Sequence, residues 1–219
     1  MELNLVYSII GLLGGIFCAI GDLLLDLKGK DNVKVGNSQF IESNWVKMSN
    51  WRFKVSIVFG CMGSFMIGIG VYSLGNQIAT SNFFLSEILI LVAILTAMTG
   101  FFVHSMICIN PIIYKAVLSK GDNDLAEYTL NEVASAIIVV FGLLYSIIIL
   151  LPTGIIIYCI LNNLLDVPTW FVMLNPVVFL LIGVISRKIY LKWFYELPGI
   201  VMPSLGFGMF GLIGIINLI

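Results

Sequence analysis

Long stretches of this chain carry almost no charged side chain, and short clusters of Lys, Arg, Asp, Glu and Asn separate them. A helix needs about 20 apolar residues to cross the hydrocarbon of a bilayer. The pattern predicts six such helices, at about 3–25, 53–75, 86–114, 133–163, 167–186 and 197–219. The fourth contains Pro152. No polar stretch of loop length surrounds that proline, so one kinked helix is expected in place of two spans. The longest polar segment, 28–54, is too short to fold alone. Within it Ser43-Asn44-Trp45 recurs as Ser49-Asn50-Trp51, and Ile41, Trp45, Met48 and Val55 follow roughly helical spacing. An interfacial helix at about 40–52, with its indoles at headgroup level, is expected to run into the second span. The expected fold is all-α: a polytopic membrane helix bundle of six spans in a single transmembrane domain, 1–219.

Composition agrees with that class and narrows the partners. Hydrophobic residues make up 60% of the chain and charged residues 11%, with a mean hydropathy of +1.08. Soluble domains carry about 25% charged residues, so a water-soluble globule is excluded and membrane lipids are the implied surroundings. A net charge of −1 leaves no broad basic face, which excludes nucleic acid as a partner. All eleven basic residues fall in the loops after the first, third and fifth spans or at the adjoining helix ends. The positive-inside rule then places both termini outside and these three loops in the cytoplasm. No Lys or Arg precedes the first apolar run and no small-residue cleavage site follows it, so an uncleaved first span is expected. Cys18, Cys61, Cys108 and Cys159 all lie in apolar runs without a CxxC pair. They read as small core residues, not as a zinc site or a disulfide framework.

Small residues mark the faces where helices meet. Gly11, Gly15, Cys18, Asp22 and Asp26 form one stripe on the first span, and Ala97, Gly100, His104 and Cys108 form another on the third. Asp22 and His104 should therefore point into the bundle, both towards the cytoplasmic end. Arg52, Glu132 and Glu196 stand where the second, fourth and sixth spans enter from the same side. Together Asp22, Asp26, Arg52, His104, Glu132 and Glu196 are candidates for one cytoplasm-facing pocket that binds a ligand or handles protons. An ionisable group at a helix centre costs roughly 2.5–3.5 kcal/mol on insertion scales, which makes such residues functional candidates. The sequence holds no HExxH, GxSxG or P-loop motif. One histidine cannot build a multi-histidine zinc site. A lone i, i+4 carboxylate pair beside a histidine is too common to designate a metal, so none is assigned and the cofactor stays open.

The stretch GDLLLDLKGK from Gly21 to Lys30, ESNW from Glu42, WRF from Trp51, FFVHS around His104, and LPG with SLG from Leu197 and Ser204 resemble a set of bacterial six-span membrane proteins known only as a domain of unknown function. The resemblance covers most of the chain. It implies the cytoplasmic membrane of a bacterium and transfers no catalytic residue. Three functions stay open: a membrane-embedded enzyme or binding protein for an apolar or lipid-like molecule, a small-molecule or proton-coupled transporter, and a non-catalytic partner such as an immunity, assembly or sensor subunit. A protein partner or a homo-oligomer is compatible with each. Apart from Glu87 at the outer end of the third span, the outer halves of the spans lack charge, which weighs against a pathway running through the bundle.

Overall fold

The computed structural model describes residues 1–36, 39–189 and 197–219. Its helices are α1 (Glu2–Asp26), α2 (Asn50–Ile78), α3 (Phe83–Leu118), α4 (Asn123–Leu161), α5 (Pro176–Ile189) and α6 (Leu197–Ile216). Among the described residues, α1, α2, α3, α4 and α6 are long and apolar enough to cross a membrane. Polar residues set where they begin. The Asn82 side chain accepts the backbone N–H of Leu85 at the start of α3, and Asp122 accepts that of Leu125 at the start of α4. Each such cap contributes about 1 kcal/mol to its helix. Helix α4 runs unbroken through Pro152.

The stretch expected to form a fifth span at 167–186 is not one helix. It folds as a short 3₁₀ helix, Thr169–Met173, followed by the 14-residue α5. The break has a local cause. Asn175 turns its side-chain oxygen onto the backbone N–H groups of Val177 and Val178, both at 3.0 Å, and Pro176 occupies a first-turn position where its missing N–H costs nothing. Helix α5 then lies antiparallel to α6: a Cβ on Gly206 would meet Pro176, and one on Gly183 would meet Gly199. Asp166 is bonded to Asn217 beyond the C-terminal end of α6, and Arg187 lies against Gly199 in its first turn. The segment 167–189 therefore returns the chain along the whole length of α6.

Helix α1 packs between α2 and α6, where close backbone approach is built in. A Cβ on Gly15 would stand 2.6 Å from the Gly208 Cα of α6, and Gly11 leaves no room for one against Gly70 of α2. This is the small-residue packing that drives helix association in lipid. Helix α4 stands apart. Its most apolar stretch is 17% buried, against 39–44% for the other four long helices.

The connection between α1 and α2 differs from the interfacial helix expected at 40–52. It is a two-stranded hairpin, β1 (Lys34–Val35) with β2 (Ile41–Glu42), followed by a 3₁₀ turn, Ser43–Val46. The first Ser-Asn-Trp forms a buried knot. Asn44 donates to the Lys28 carbonyl at 3.1 Å and to Asp31 at 2.8 Å, while Ser43 and Val33 exchange two bonds. Trp45 is packed edge-on against Tyr114 with Ile41, Met48 and Phe53 nearby. The second copy opens α2 and leaves Trp51 exposed. The same tripeptide thus serves two environments, because polar partners at Lys28 and Asp31 are available only to the first.

Candidate functional site

Asp22 lies one turn inside the end of α1, on the face turned to α6. Its Oδ2 accepts a 2.5 Å hydrogen bond from the Ser204 hydroxyl. Its Oδ1 stands 3.8 Å from Nδ1 of His104, which α3 delivers from the other side. Glycine makes room for the imidazole: any Cβ at Gly60 of α2 would overlap the ring.

The hydrogen-bond network assigns the ring's protons. The Ser56 hydroxyl donates to the Gly21 carbonyl at 2.7 Å, so its oxygen must accept from its other neighbours. His104 Nε2 lies 3.0 Å from that oxygen and Cys108 Sγ 3.2 Å from it. Nε2 therefore carries a hydrogen, and Nδ1 is the nitrogen left facing Asp22. At 3.8 Å the gap is too long for a hydrogen bond. A proton held between Asp22 and Nδ1, or a donor from a bound molecule, completes the pair. Acid–base groups commonly tighten in this way on binding.

Both side chains line a cavity of about 510 Å³. Its α3 wall runs from Ile107 to Thr96, a depth of about 16 Å at ~1.5 Å per residue. Three levels follow. The mouth is polar, with Asp26, Lys28, Asn32, Lys34, Glu42 and Arg187. Asp22, His104 and Ser204 form the middle level. Below them Ile67, Ile148 and Phe207 line an apolar floor, with the hydroxyls of Thr96 and Thr99 beside it. Thr96 donates to the Val92 carbonyl, whereas the Thr99 oxygen is buried with no hydrogen-bond partner among the described residues. The set-apart α4 closes one side with Phe141 and Tyr145, whose rings stack at 5.7 Å.

The candidates separate accordingly. Asp22, Asp26 and His104 share the cavity. Asp26 is held at the mouth by Lys28 at 2.8 Å, and Lys28 also reaches Glu42 at 3.1 Å, which in turn accepts from Asn32 at 2.6 Å. Burial opposes the charge on Lys28, but Asp26 and Glu42 outweigh it and hold its ammonium above the ordinary lysine range. Arg52 is placed elsewhere. Its guanidinium donates to the carbonyls of Leu27 and Leu23, closing the C-terminal end of α1. Glu132 is exposed on α4 and does not line the cavity. Glu196 lies outside the described residues. Among the described residues, no group of three or more His, Cys, Asp or Glu side chains is placed to hold a metal ion. Ser204, Thr99, Lys34 and Arg187 join the site without having been singled out. In the sequence Ser204 stands out only within the SLG stretch, and the two cations only among the basic residues that set the topology.

At the opposite end of the bundle a network of amides and hydroxyls joins the helices. Gln77 donates to Ser73 and Ser8, and its oxygen accepts from Asn217 at 2.8 Å. This network ties α1, α2 and α6 together and closes that end.

The chain belongs to a family of unknown function (DUF6796), which matches it over residues 1–219. Comparison with curated proteins and with solved structures finds no match.

Proposed function

We propose that this is a six-span protein of a bacterial cytoplasmic membrane, with both termini outside, that binds a lipid-like molecule in the cavity beside Asp22 and His104. One observation carries the reading: a carboxylate and an imidazole face each other across a cavity that continues into an apolar floor. A volume of about 510 Å³ falls within the ordinary range for small-molecule sites. The Asp22–His104 pair equips the middle level to exchange a proton with a polar group of the occupant. The network around Gln77 favours a site entered from one end over a pathway crossing the bundle. Six crossings are supported by the return of segment 167–189 along α6, and the orientation by the grouping of basic residues at the mouth end.

The test is a thermal-shift screen of fatty alcohols, diacylglycerol and phospholipids on the purified protein. A stabilising lipid should lose its effect in both Asp22→Asn and His104→Gln while the unliganded variants stay monodisperse. Full retention of the shift in both variants would remove the pair from the site.

A further inference from the structure

The mouth of the cavity is unevenly paired. Asp26, Lys28, Asn32 and Glu42 satisfy one another through contacts of 2.6–3.1 Å. Lys34 and Arg187 line the same mouth, yet among the described residues neither side chain makes a hydrogen bond or ion pair. They come from opposite sides: Lys34 from β1 of the hairpin and Arg187 from the last turn of α5. The guanidinium lies against Gly199 of α6, its Cζ 2.6 Å from where an alanine Cβ would be, so only glycine permits this position. Among the described residues the mouth holds two carboxylates, Asp26 and Glu42, and three cations, Lys28, Lys34 and Arg187, an excess of positive charge. Deeper in, the Asp22–His104 pair offers polar contacts above an apolar floor.

We propose that Lys34 and Arg187 form a subsite for the anionic headgroup of an amphipathic lipid, whose linker lies at Asp22 and His104 and whose chain fills the floor. This rests on the reading of the cavity as a lipid site and adds the headgroup class. A guanidinium with an ammonium opposite suits a phosphate, since arginine can present two parallel N–H donors to its oxygens.

The experiment compares phosphatidic acid, diacylglycerol with the same chains, and inorganic phosphate as ligands of the full chain in neutral detergent. Phosphatidic acid should bind about tenfold more tightly than diacylglycerol, as expected for a charge-assisted contact. Lys34→Gln with Arg187→Gln should erase that difference, with phosphatidic acid falling to the affinity of diacylglycerol. Gly199→Ala, which displaces the guanidinium, should act in the same direction, and Arg187→Lys should lose only part of the preference. Lys120→Gln, a surface cation outside the cavity, should change nothing. Equal binding of the two lipids by the unaltered chain would overturn the headgroup subsite while leaving the cavity reading intact. An equal loss in Lys120→Gln would also overturn it, by assigning the preference to general surface charge. Inorganic phosphate binding as tightly as the lipid would assign the cations to a soluble anion and contradict the lipid headgroup. Failure of both lipids to bind would sink the cavity reading itself.

Discussion

The imidazole of His104 occupies the space that a side chain at Gly60 would fill. The position of the only histidine therefore depends on a residue of a different helix that has no chemistry of its own. Gly60→Ala must push the ring away from Asp22 or open the α2–α3 contact. Overpacking of this kind costs about 1–3 kcal/mol. The variant should melt at a lower temperature and lose ligand binding as His104→Gln does. Combining the two changes should give less than the sum of their binding losses, because both act through one ring. Full additivity would mean that the glycine and the histidine act separately.

The grouping of basic residues predicts which loops face which side. After replacement of Cys18, Cys61, Cys108 and Cys159, a cysteine at Ser81 between α2 and α3 should react with an impermeant thiol reagent added to intact cells. One at Lys120, between α3 and α4, should react only after the membrane is opened. Labelling of position 120 from outside would invert the assigned orientation.

The α1–α2 connection should hold over a wide pH range with two defined limits. Hydrogen bonds from Lys47 and Asn44 hold the Asp31 carboxyl below the usual carboxylate range. A group shifted this way stabilises the fold above its unfolded value of about 3.9, and the contribution fades as pH falls through the folded value. Lys28 is shifted upward. Its contribution is complete below about 10.4 and fades as pH rises through its higher folded value. With Trp45 as the only remaining tryptophan, its emission should stay constant from about pH 5 to 9. It should shift to longer wavelength in acid as the knot opens, and Asp31→Asn should remove that acid limb. An emission that changes steadily through neutral pH would show that other groups govern the loop.

Much of this architecture is legible in the chain, for reasons that particular residues make clear. Helix α1 begins and ends within a residue of the expected 3–25, because an apolar run bounded by charge has few other ways to satisfy its backbone in lipid. Asp22 and His104 could be brought together because each sits on a stripe of small residues that marks a helix contact. The division of 167–186 was harder to read. Apolar periodicity is blind to a side chain such as Asn175 that recruits two backbone donors and ends one helix before starting another. The hairpin has strands of two residues, too short to show any alternation. Arg52 illustrates the limit for charges at helix ends: its position is plain, but its partners are the carbonyls of Leu23 and Leu27, which carry no signal in the sequence. Ser204 meets Asp22 across 182 residues, a pairing that only the packing of α1 against α6 creates.

The central claim is that a lipid-like molecule occupies the cavity between α1, α3, α4 and α6. A fatty-alcohol probe carrying a diazirine near its chain end tests it most directly, with adducts on the photolysed protein mapped by mass spectrometry. The account predicts adducts on the floor residues Ile67, Ile148 and Phe207, suppressed by excess unlabelled lipid and reduced in Asp22→Asn. Adducts confined to the outward face of α4, at Val139, Leu143 and Leu150, and unaffected by competitor would contradict it.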